Sequence, residues 1–303
     1  MSGLSDSLAI TRLPVVLEET KTPARLTAPT ARKLPRQALL WVGLAYVLFG
    51  LFFRDAWKTD DAAGLATILT AFNQGGQALI APYIGNFPFV SQGPLLIWIA
   101  YLFELVFSPI FGLWMSPVEA QIAAARLPNL LYFYIILYGV WYGCYLLARR
   151  PECQPLPLPF GGEPDPRDYG RMLADCAFLF LVACFGIIMR MHETTHIPLL
   201  MACHALAFYG FVRNIELPKQ ALFFLIAGLA GSFLAAGLLG AFPILVATLF
   251  FLFYRFYGKT QKQVILFSLA LSVLICLSWL LTVKSGQSEW LDAWFSYTQT
   301  SFS

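Results

Sequence analysis

Seven or eight apolar runs alternate with short polar segments along the chain from residue 38 onward. Most of them approach the ~20 residues that a membrane-spanning helix needs. This pattern predicts an all-α protein, a polytopic transmembrane helical bundle. The runs cover 38–53, 94–115, 127–148, 172–189, 197–212, 221–239, 241–254 and 264–283.

The composition agrees with a membrane protein. Apolar residues make up 58% of the 303 residues and charged residues only 12%, and the mean hydropathy is +0.67. A soluble domain carries about 25% charged residues, so this chain has too little charge to cover a surface that faces water. The net charge of +3 is small for the length, which excludes an ordinary nucleic-acid-binding protein.

The stretch 221–254 is too long for a single span. As one helix its 34 residues would extend about 51 Å, whereas the hydrocarbon core of a bilayer is about 30 Å thick. Gly237, Gly240 and Pro243 offer a break. We therefore expect a tight hairpin of two short spans.

The run 94–115 is expected to lie in the membrane interface instead of spanning. With that arrangement 15 of the 20 Lys and Arg residues lie on the cytoplasmic side, whereas a spanning helix would leave 9 there. The positive-inside rule favours the first arrangement. Glu104, in the middle of the run, would also cost ~2.5–3.5 kcal/mol at the centre of the bilayer.

The charge distribution then predicts the organisation of the chain. Residues 1–37 form a disordered, basic cytoplasmic leader, 38–283 form a transmembrane module of about seven spans, and 284–303 form a short external tail. Within the module, the external loop 54–126 carries juxtamembrane helices, and the Pro- and Gly-rich loop 149–171 is cytoplasmic. We expect a multi-pass protein of the bacterial plasma membrane, that is, the inner membrane. Its N-terminus is expected to be cytoplasmic.

Two polar clusters fall on the external side of this topology. Asp60 and Asp61 open the first external loop, and a carboxylate beside low-dielectric lipid is a candidate general base because its pKa is tunable. The second cluster lies between two predicted spans and holds two of the three histidines of the chain. A plain solvated surface is the alternative interpretation of each cluster. The residues of the second cluster are Arg190, His192, Glu193 and His196.

The second cluster also matches the pattern His-Glu-x-x-His. In a zinc metalloprotease this pattern places two imidazoles on one helix face, with a Glu that activates water. Pro198 follows where a zinc-binding helix should continue, and no third ligand is evident. An intramembrane zinc metalloprotease using His192, Glu193 and His196 stays an alternative, as does a transporter or a non-catalytic membrane protein.

Taken in chain order, several short motifs follow the elements of one known family. They are an acidic pair after the first span, a helix of small residues, a Pro-x-x-Gly segment, a Pro-Leu-aromatic helix start, an Ala-Arg-Leu-Pro signature and an Arg that opens a segment ending in Pro-Leu. In this chain they are Asp60-Asp61, Ala62 to Ala71, Pro82 to Gly85, Gly93 to Trp98, Ala125 to Pro128, and Arg190 to Leu199. Through these motifs, which cover about 40–213, the chain resembles the GT-C membrane glycosyltransferases, the group of the protein O-mannosyltransferases and the lipid A aminoarabinose transferase.

The resemblance implies an enzyme that moves a sugar, with inversion, from a polyprenyl-phosphate donor to a lipid, glycan or protein acceptor at the external face. It implies Asp60 as the base, with Asp61 orienting it or sharing a metal ion, and Arg190 as the group that binds the departing phosphate. The motifs require no cofactor, and a divalent metal ion is one option. Further substrate-binding candidates are His192, Glu193, His196, Arg126 and Gln92.

The chain departs from the family pattern at three places. Ser91-Gln92-Gly93-Pro94 stands where close relatives of the aminoarabinose transferase have Glu-Lys-Pro-Pro, so the basic residue that grips the phosphate is absent there. His196 stands about where the family has an Asp before Pro-Leu. The family also continues with a second large external loop, so we expect a truncated, split or divergent member.

Overall fold

Helices make up nearly all of the structure, a computed structural model that describes residues 34–52, 54–56, 58–156, 163–255 and 257–303. Within these ranges the two strands β1 (Tyr83–Ile84) and β2 (Phe87–Pro88) form one small antiparallel hairpin. The predicted all-α class is confirmed. The helices are α1 (Arg36–Leu48), α2 (Thr59–Gln74), α3 (Gln77–Ile80), α4 (Leu95–Phe111), α5 (Pro117–Arg126), α6 (Pro128–Ala148), α7 (Pro166–Ala183), α8 (Phe185–Arg190), α9 (His196–Glu216), α10 (Pro218–Phe253), α11 (Lys259–Gly286) and α12 (Ser288–Phe302), with a 3-10 turn at Pro151–Cys153.

Three helical stretches in the described part of the chain are long and apolar enough to cross a membrane. They are Pro117–Ala148, Pro218–Phe253 and Lys259–Gly286, and α1 and α4 are shorter apolar helices. Large apolar side chains are exposed on the outside of the bundle, among them Phe180 and Phe253. Such a surface suits contact with lipid far better than contact with water, so the protein is membrane-embedded.

The long helices run alternately between two ends of the bundle. Asn129, near the start of α6, donates hydrogen bonds to the carbonyl oxygens of Met191 and Glu193 just before α9 (3.0 and 2.9 Å). Where the same two helices end, Arg149 forms an ion pair with Glu216 (2.5 Å). Helices α6 and α9 are therefore parallel, and α7 and α8 return the chain between them. We call the end with Asn129 the cap end and the end with Arg149 the basic end.

Helix α10 reverses its direction in the middle. Its backbone leaves the helical conformation at Ala236–Gly237, where the glycine has φ +63°, in the left-handed region that favours glycine. Before the break Leu225 packs on Gly210 of α9, and after it the ring of Phe251 lies 4.8 Å from that of Phe211. In one straight helix residues 225 and 251 would be about 39 Å apart. The two halves therefore lie side by side as the predicted hairpin, with the break at the first of the three expected positions.

Helix α4 stays at the cap end instead of running along the bundle. At its start, the Leu95 side chain lies beside Gly231, shortly before the break in α10. At its end, the ring of Phe111 packs against that of Phe52, which follows α1 (6.2 Å between centroids). The interfacial position expected for 94–115 stays a prediction. Together with α2, α3 and α5, which also belong to the loop 54–126, α4 forms a cap over the helical bundle.

The C-terminal segment, expected as a short tail, is the helix α12. Trp290 is fully buried, and its indole N–H donates to the carbonyl oxygen of Pro82 (2.9 Å). Trp294 packs against Gly237 at the break in α10. The segment is thus part of the cap. Of the leader predicted over 1–37, residues 1–33 lie outside the described residues.

Glu104 is a buried charged residue within the apolar helix α4. Its side chain is inaccessible to solvent, and neither carboxyl oxygen has a hydrogen-bond partner among the residues that the structure describes. Burial raises its pKa to about 7, because the charged form loses its hydration.

The buried carboxyl predicts a stability that depends on pH. The raised pKa means that folding favours the neutral carboxyl. The free-energy cost of burying the charged carboxylate is therefore absent below about pH 4.5 and grows until about pH 7. We expect Glu104→Gln to stabilise the fold at about pH 8, by on the order of 2 kcal/mol, and to have little effect at about pH 4.5. Thermal unfolding of the purified protein at both pH values measures this. Glu289→Gln, at an exposed position of α12, is the control, and an equal effect of Glu104→Gln at both pH values would contradict the assignment.

Candidate functional site

The two polar clusters of the sequence meet at the cap end, where α2 packs on the turn 191–195 between α8 and α9. The approach is close because α2 carries Gly64 at the contact. A Cβ atom at that position would lie 1.8 Å from the carbonyl oxygen of Thr194, well inside van der Waals contact. The small-residue helix that follows the acidic pair therefore serves a close packing contact.

A buried ion pair lies at the centre of this contact. Nη2 of Arg126 is 2.9 Å from Oδ2 of Asp61, and both side chains are inaccessible to solvent. Oδ1 of Asp61 accepts hydrogen bonds from the backbone N–H (2.6 Å) and the hydroxyl (2.5 Å) of Thr194. Arg126 also donates to the carbonyl oxygen of Arg54. The pair therefore joins α2, the end of α5 and the turn, and Asp61 is fully engaged by protein groups.

Gln92 is joined to α2 by a hydrogen bond. Its amide donates to the hydroxyl of Thr67 (2.6 Å), which donates to the carbonyl oxygen of Gly64 (2.7 Å). Gln92 is buried. Gln92 therefore supports α2 from the interior of the cap.

Four charged side chains form a row that leads from the interior to the surface. Oε1 of the buried Glu193 is 2.5 Å from Nζ of Lys58, and Oε2 is 3.0 Å from Nη1 of Arg190. Arg190 also reaches Oδ2 of Asp60 at 3.3 Å, and the Asp60 side chain is 68% exposed. We call Lys58, Glu193, Arg190 and Asp60 the charged row. Its outer end is an accessible carboxylate beside an accessible guanidinium.

The two histidines of the turn have different surroundings. His192 is buried, with Nδ1 2.8 Å from the carbonyl oxygen of Ile188 and Nε2 3.1 Å from that of Val47. It therefore ties the turn to the end of α1. His196, at the start of α9, lies close enough to the charged row for the charges of Asp60 and Arg190 to affect its pKa. Burial lowers its pKa to about 4, so it is neutral at neutral pH.

The His-Glu-x-x-His pattern is not helical. Helix α8 ends at Arg190 and α9 begins at His196, so the pattern spans a turn. His192 contacts α1, and Glu193 pairs with two cations. These side chains therefore do not meet at one ion, as they would in a zinc protease. In the described part of the chain, no group of three or more His, Cys, Asp or Glu side chains is arranged to hold a metal ion. The geometry gives the metalloprotease alternative no support.

Sequence reasoning missed three residues of the site. Lys58 stands two positions before Asp60, and a basic residue flanking the acidic pair was the signal available. Asn129 is a polar residue inside an apolar run, which in a membrane segment usually indicates a specific contact. Thr194 carries no such signal, because its role depends on a contact with Asp61 across 133 residues of chain.

The charged row can accept a proton and bind an anion at one place. An exposed carboxylate is a general base for a hydroxyl or an amine, and a guanidinium with an ammonium group nearby suits phosphate oxygens. Comparison of the chain with protein-family models, with curated proteins and with solved structures finds no match. The geometry of the charged row therefore carries the functional argument.

The contact at Gly64 predicts a strong effect of one methyl group. We expect Gly64→Ala to force α2 away from Thr194 and to destabilise the protein by about 1–3 kcal/mol, the usual cost of overpacking. Gly286→Ala is the matched control, since a Cβ there meets nothing within 4 Å. Thermal unfolding of both variants measures the difference, and similar Tm values for the two would contradict the close packing.

Proposed function

We propose that the protein is a membrane glycosyltransferase that moves a sugar from a polyprenyl-phosphate donor to an acceptor at the outer face of a bacterial inner membrane. The observation that carries this proposal is the pair Asp60 and Arg190, an exposed carboxylate 3.3 Å from a guanidinium. A base for the acceptor and a cation for the leaving phosphate are the two groups that such a transfer needs. The resemblance to the GT-C family supports the same reaction.

The proposed topology has about seven spans and a cytoplasmic N-terminus. The spans are α1, α6, α7 with α8, α9, the two halves of α10, and α11. Support comes from the alternating direction of these helices and from the Arg and Lys residues of the connections at the basic end. In this topology the cap and the charged row lie outside, where a lipid-linked donor can approach along the membrane.

In the proposed reaction Asp60 acts on the acceptor. The acceptor oxygen or nitrogen attacks the anomeric carbon, and its proton passes to the Asp60 carboxylate. The bond between the anomeric carbon and the phosphate oxygen breaks on the opposite face of the sugar, with inversion, and the bonding electrons leave with the polyprenyl phosphate. The ion pair of Asp60 with Arg190 (3.3 Å) opens in this step to admit the sugar between the two side chains. The exposure of Asp60 supports this role, since an acceptor can reach its carboxylate.

Arg190 and Lys58 stabilise the charge that develops on the leaving phosphate. The buried carboxylate of Glu193 holds both cations, one on each oxygen, so their positions are set before the donor arrives. Lys58 thereby supplies the basic group that is absent from Ser91 to Pro94. Each cation contacts one oxygen of the same carboxylate, so the two positive groups lie close to each other.

The buried residues of the site have a positioning role in this proposal. Asp61, Arg126 and His192 are each engaged by protein groups on two sides, and none of the three is exposed. They hold α2, α5 and the turn 191–195 together, which keeps Asp60 beside Arg190. His196, neutral and next to the charged row, borders the space in which the sugar would bind.

The two aspartates should respond differently to removal of their charge. Asp60→Asn should leave the fold intact and lower sugar transfer by at least about a hundredfold, the usual effect of losing a general base. Asp61→Asn should instead lower stability by about 3–5 kcal/mol, because Arg126 is left buried without its counter-ion. The assay is release of polyprenyl phosphate from a panel of polyprenyl-phosphate hexose and pentose donors, in proteoliposomes supplied with a lipid, glycan and protein extract of a bacterial envelope as acceptor. Thermal unfolding is measured in parallel. A fully active Asp60→Asn would end the assignment of the base.

The two cations should contribute to binding of the product phosphate. We expect Lys58→Gln and Arg190→Gln each to weaken inhibition by free polyprenyl phosphate about tenfold, the effect of losing one charged hydrogen bond. Lys284→Gln changes an exposed lysine after the core of α11 and should leave inhibition unchanged. If Lys58→Gln behaves like this control, Lys58 does not contact the phosphate.

A further inference from the structure

An apolar groove lies between α9 and the second half of α10. Its volume is about 490 Å³, within the range of cavities that hold a small ligand. The walls are almost entirely aliphatic and aromatic, and we call the cavity the α9–α10 groove. Its lining includes Phe208, Phe211, Ile215, Ala247, Phe251 and Tyr254.

The groove opens toward the lipid-facing side of the bundle. Phe250 forms part of its rim and is 59% exposed. His204 belongs to the lining near the break in α10, and its Nε2 donates to the carbonyl oxygen of Gly240 (2.9 Å). Nε2 of the imidazole thus already has a hydrogen-bond partner in the protein. The rest of the cavity can make mainly apolar contacts with a bound molecule. A hydrocarbon chain fits these walls, and a polar molecule would lose its hydration there.

The other end of the groove reaches the basic end of the bundle. Leu147 lines the groove, and its carbonyl oxygen accepts a hydrogen bond from the backbone N–H of Arg150 (3.1 Å). Tyr257, also in the lining, has a pKa that burial raises to about 12, and the positive charge of Arg150 partly offsets this rise. The backbone of Arg150 therefore lies at the mouth of the groove, and its guanidinium pairs with Glu152 on the surface (3.2 Å).

We infer that the α9–α10 groove binds one acyl chain of an anionic phospholipid, whose headgroup phosphate pairs with Arg150. The apolar walls suit the chain, and the guanidinium of Arg150 suits the headgroup phosphate. An anionic lipid gains about fivefold in affinity for each basic residue near the membrane surface. A surface pair such as that of Arg150 with Glu152 contributes little and is easily exchanged for the lipid phosphate.

This lipid site is separate from the proposed transferase site. The charged row lies at the cap end, whereas Arg150 and Tyr257 lie at the basic end, in the opposite leaflet of the proposed topology. The inference rests on the groove and its mouth and does not depend on sugar transfer. A protein without transferase activity would still bind the phospholipid, so the two proposals can fail independently.

Lipid retention tests the role of the headgroup. The full-length protein in detergent is titrated with phosphatidylglycerol or phosphatidylcholine of equal chain length, and bound lipid is counted by native mass spectrometry. We expect one site that prefers phosphatidylglycerol about fivefold. Arg150→Gln should abolish this preference, and Lys284→Gln, at the other end of the bundle, should preserve it. Equal retention of the two lipids by the unaltered protein would overturn the inference.

Filling the groove tests the position of the chain. Ala247→Trp places an indole in the lining and should lower phosphatidylglycerol retention more than tenfold, whereas Val246→Trp, at an exposed neighbouring position, should not. Equal retention by both variants would place the lipid elsewhere. Displacement of phosphatidylglycerol by polyprenyl phosphate would assign the groove to the sugar donor and would also overturn the inference. Arg150→Gln lies at the surface and decides the question even if Ala247→Trp does not fold.

Discussion

The ion pair between Asp61 and Arg126 is the contact on which the site depends. Two full charges without access to solvent are tolerated only when each is satisfied by the other and by further hydrogen bonds, and Thr194 and the carbonyl of Arg54 supply these. Consecutive residues of a helix point about 100° apart, so burial of Asp61 directs Asp60 outward. The internal pair thereby determines which carboxylate is accessible.

Glu193 connects the buried ion pair with the accessible surface. It lies next to Thr194 in the turn, and the same backbone that satisfies Asp61 therefore carries the carboxylate that holds Lys58 and Arg190. A buried acid with one cation on each oxygen keeps two flexible side chains in place before any anion binds. The interior thus orders three groups of the charged row, and Asp60, paired with Arg190, is the most exposed of the four.

Much of the architecture was predictable because it follows from length and charge. The reversal in α10 followed from a largely apolar stretch of 34 residues, too long for one span. The meeting of Asp60 with Arg190 followed from the charge-based topology. The number of spans stays a prediction. The different burial of Asp60 and Asp61 was readable in principle, since Asp61, Gly64, Leu65 and Ile68 share one face of α2. The surroundings of His192 and Thr194 depend on contacts between distant segments, which spacing along the chain does not reveal.

The contacts of helix α12 indicate when the cap forms during folding. Its tryptophans hold both the β-hairpin segment near Pro82 and the break in α10, yet α12 is the last part of the described chain to leave the ribosome. Contacts between segments some 208 residues apart form late during folding. The cap therefore closes only after the helices that precede α12 are in place, and a chain still lacking α12 would leave the segment near Pro82 and the break in α10 without these contacts.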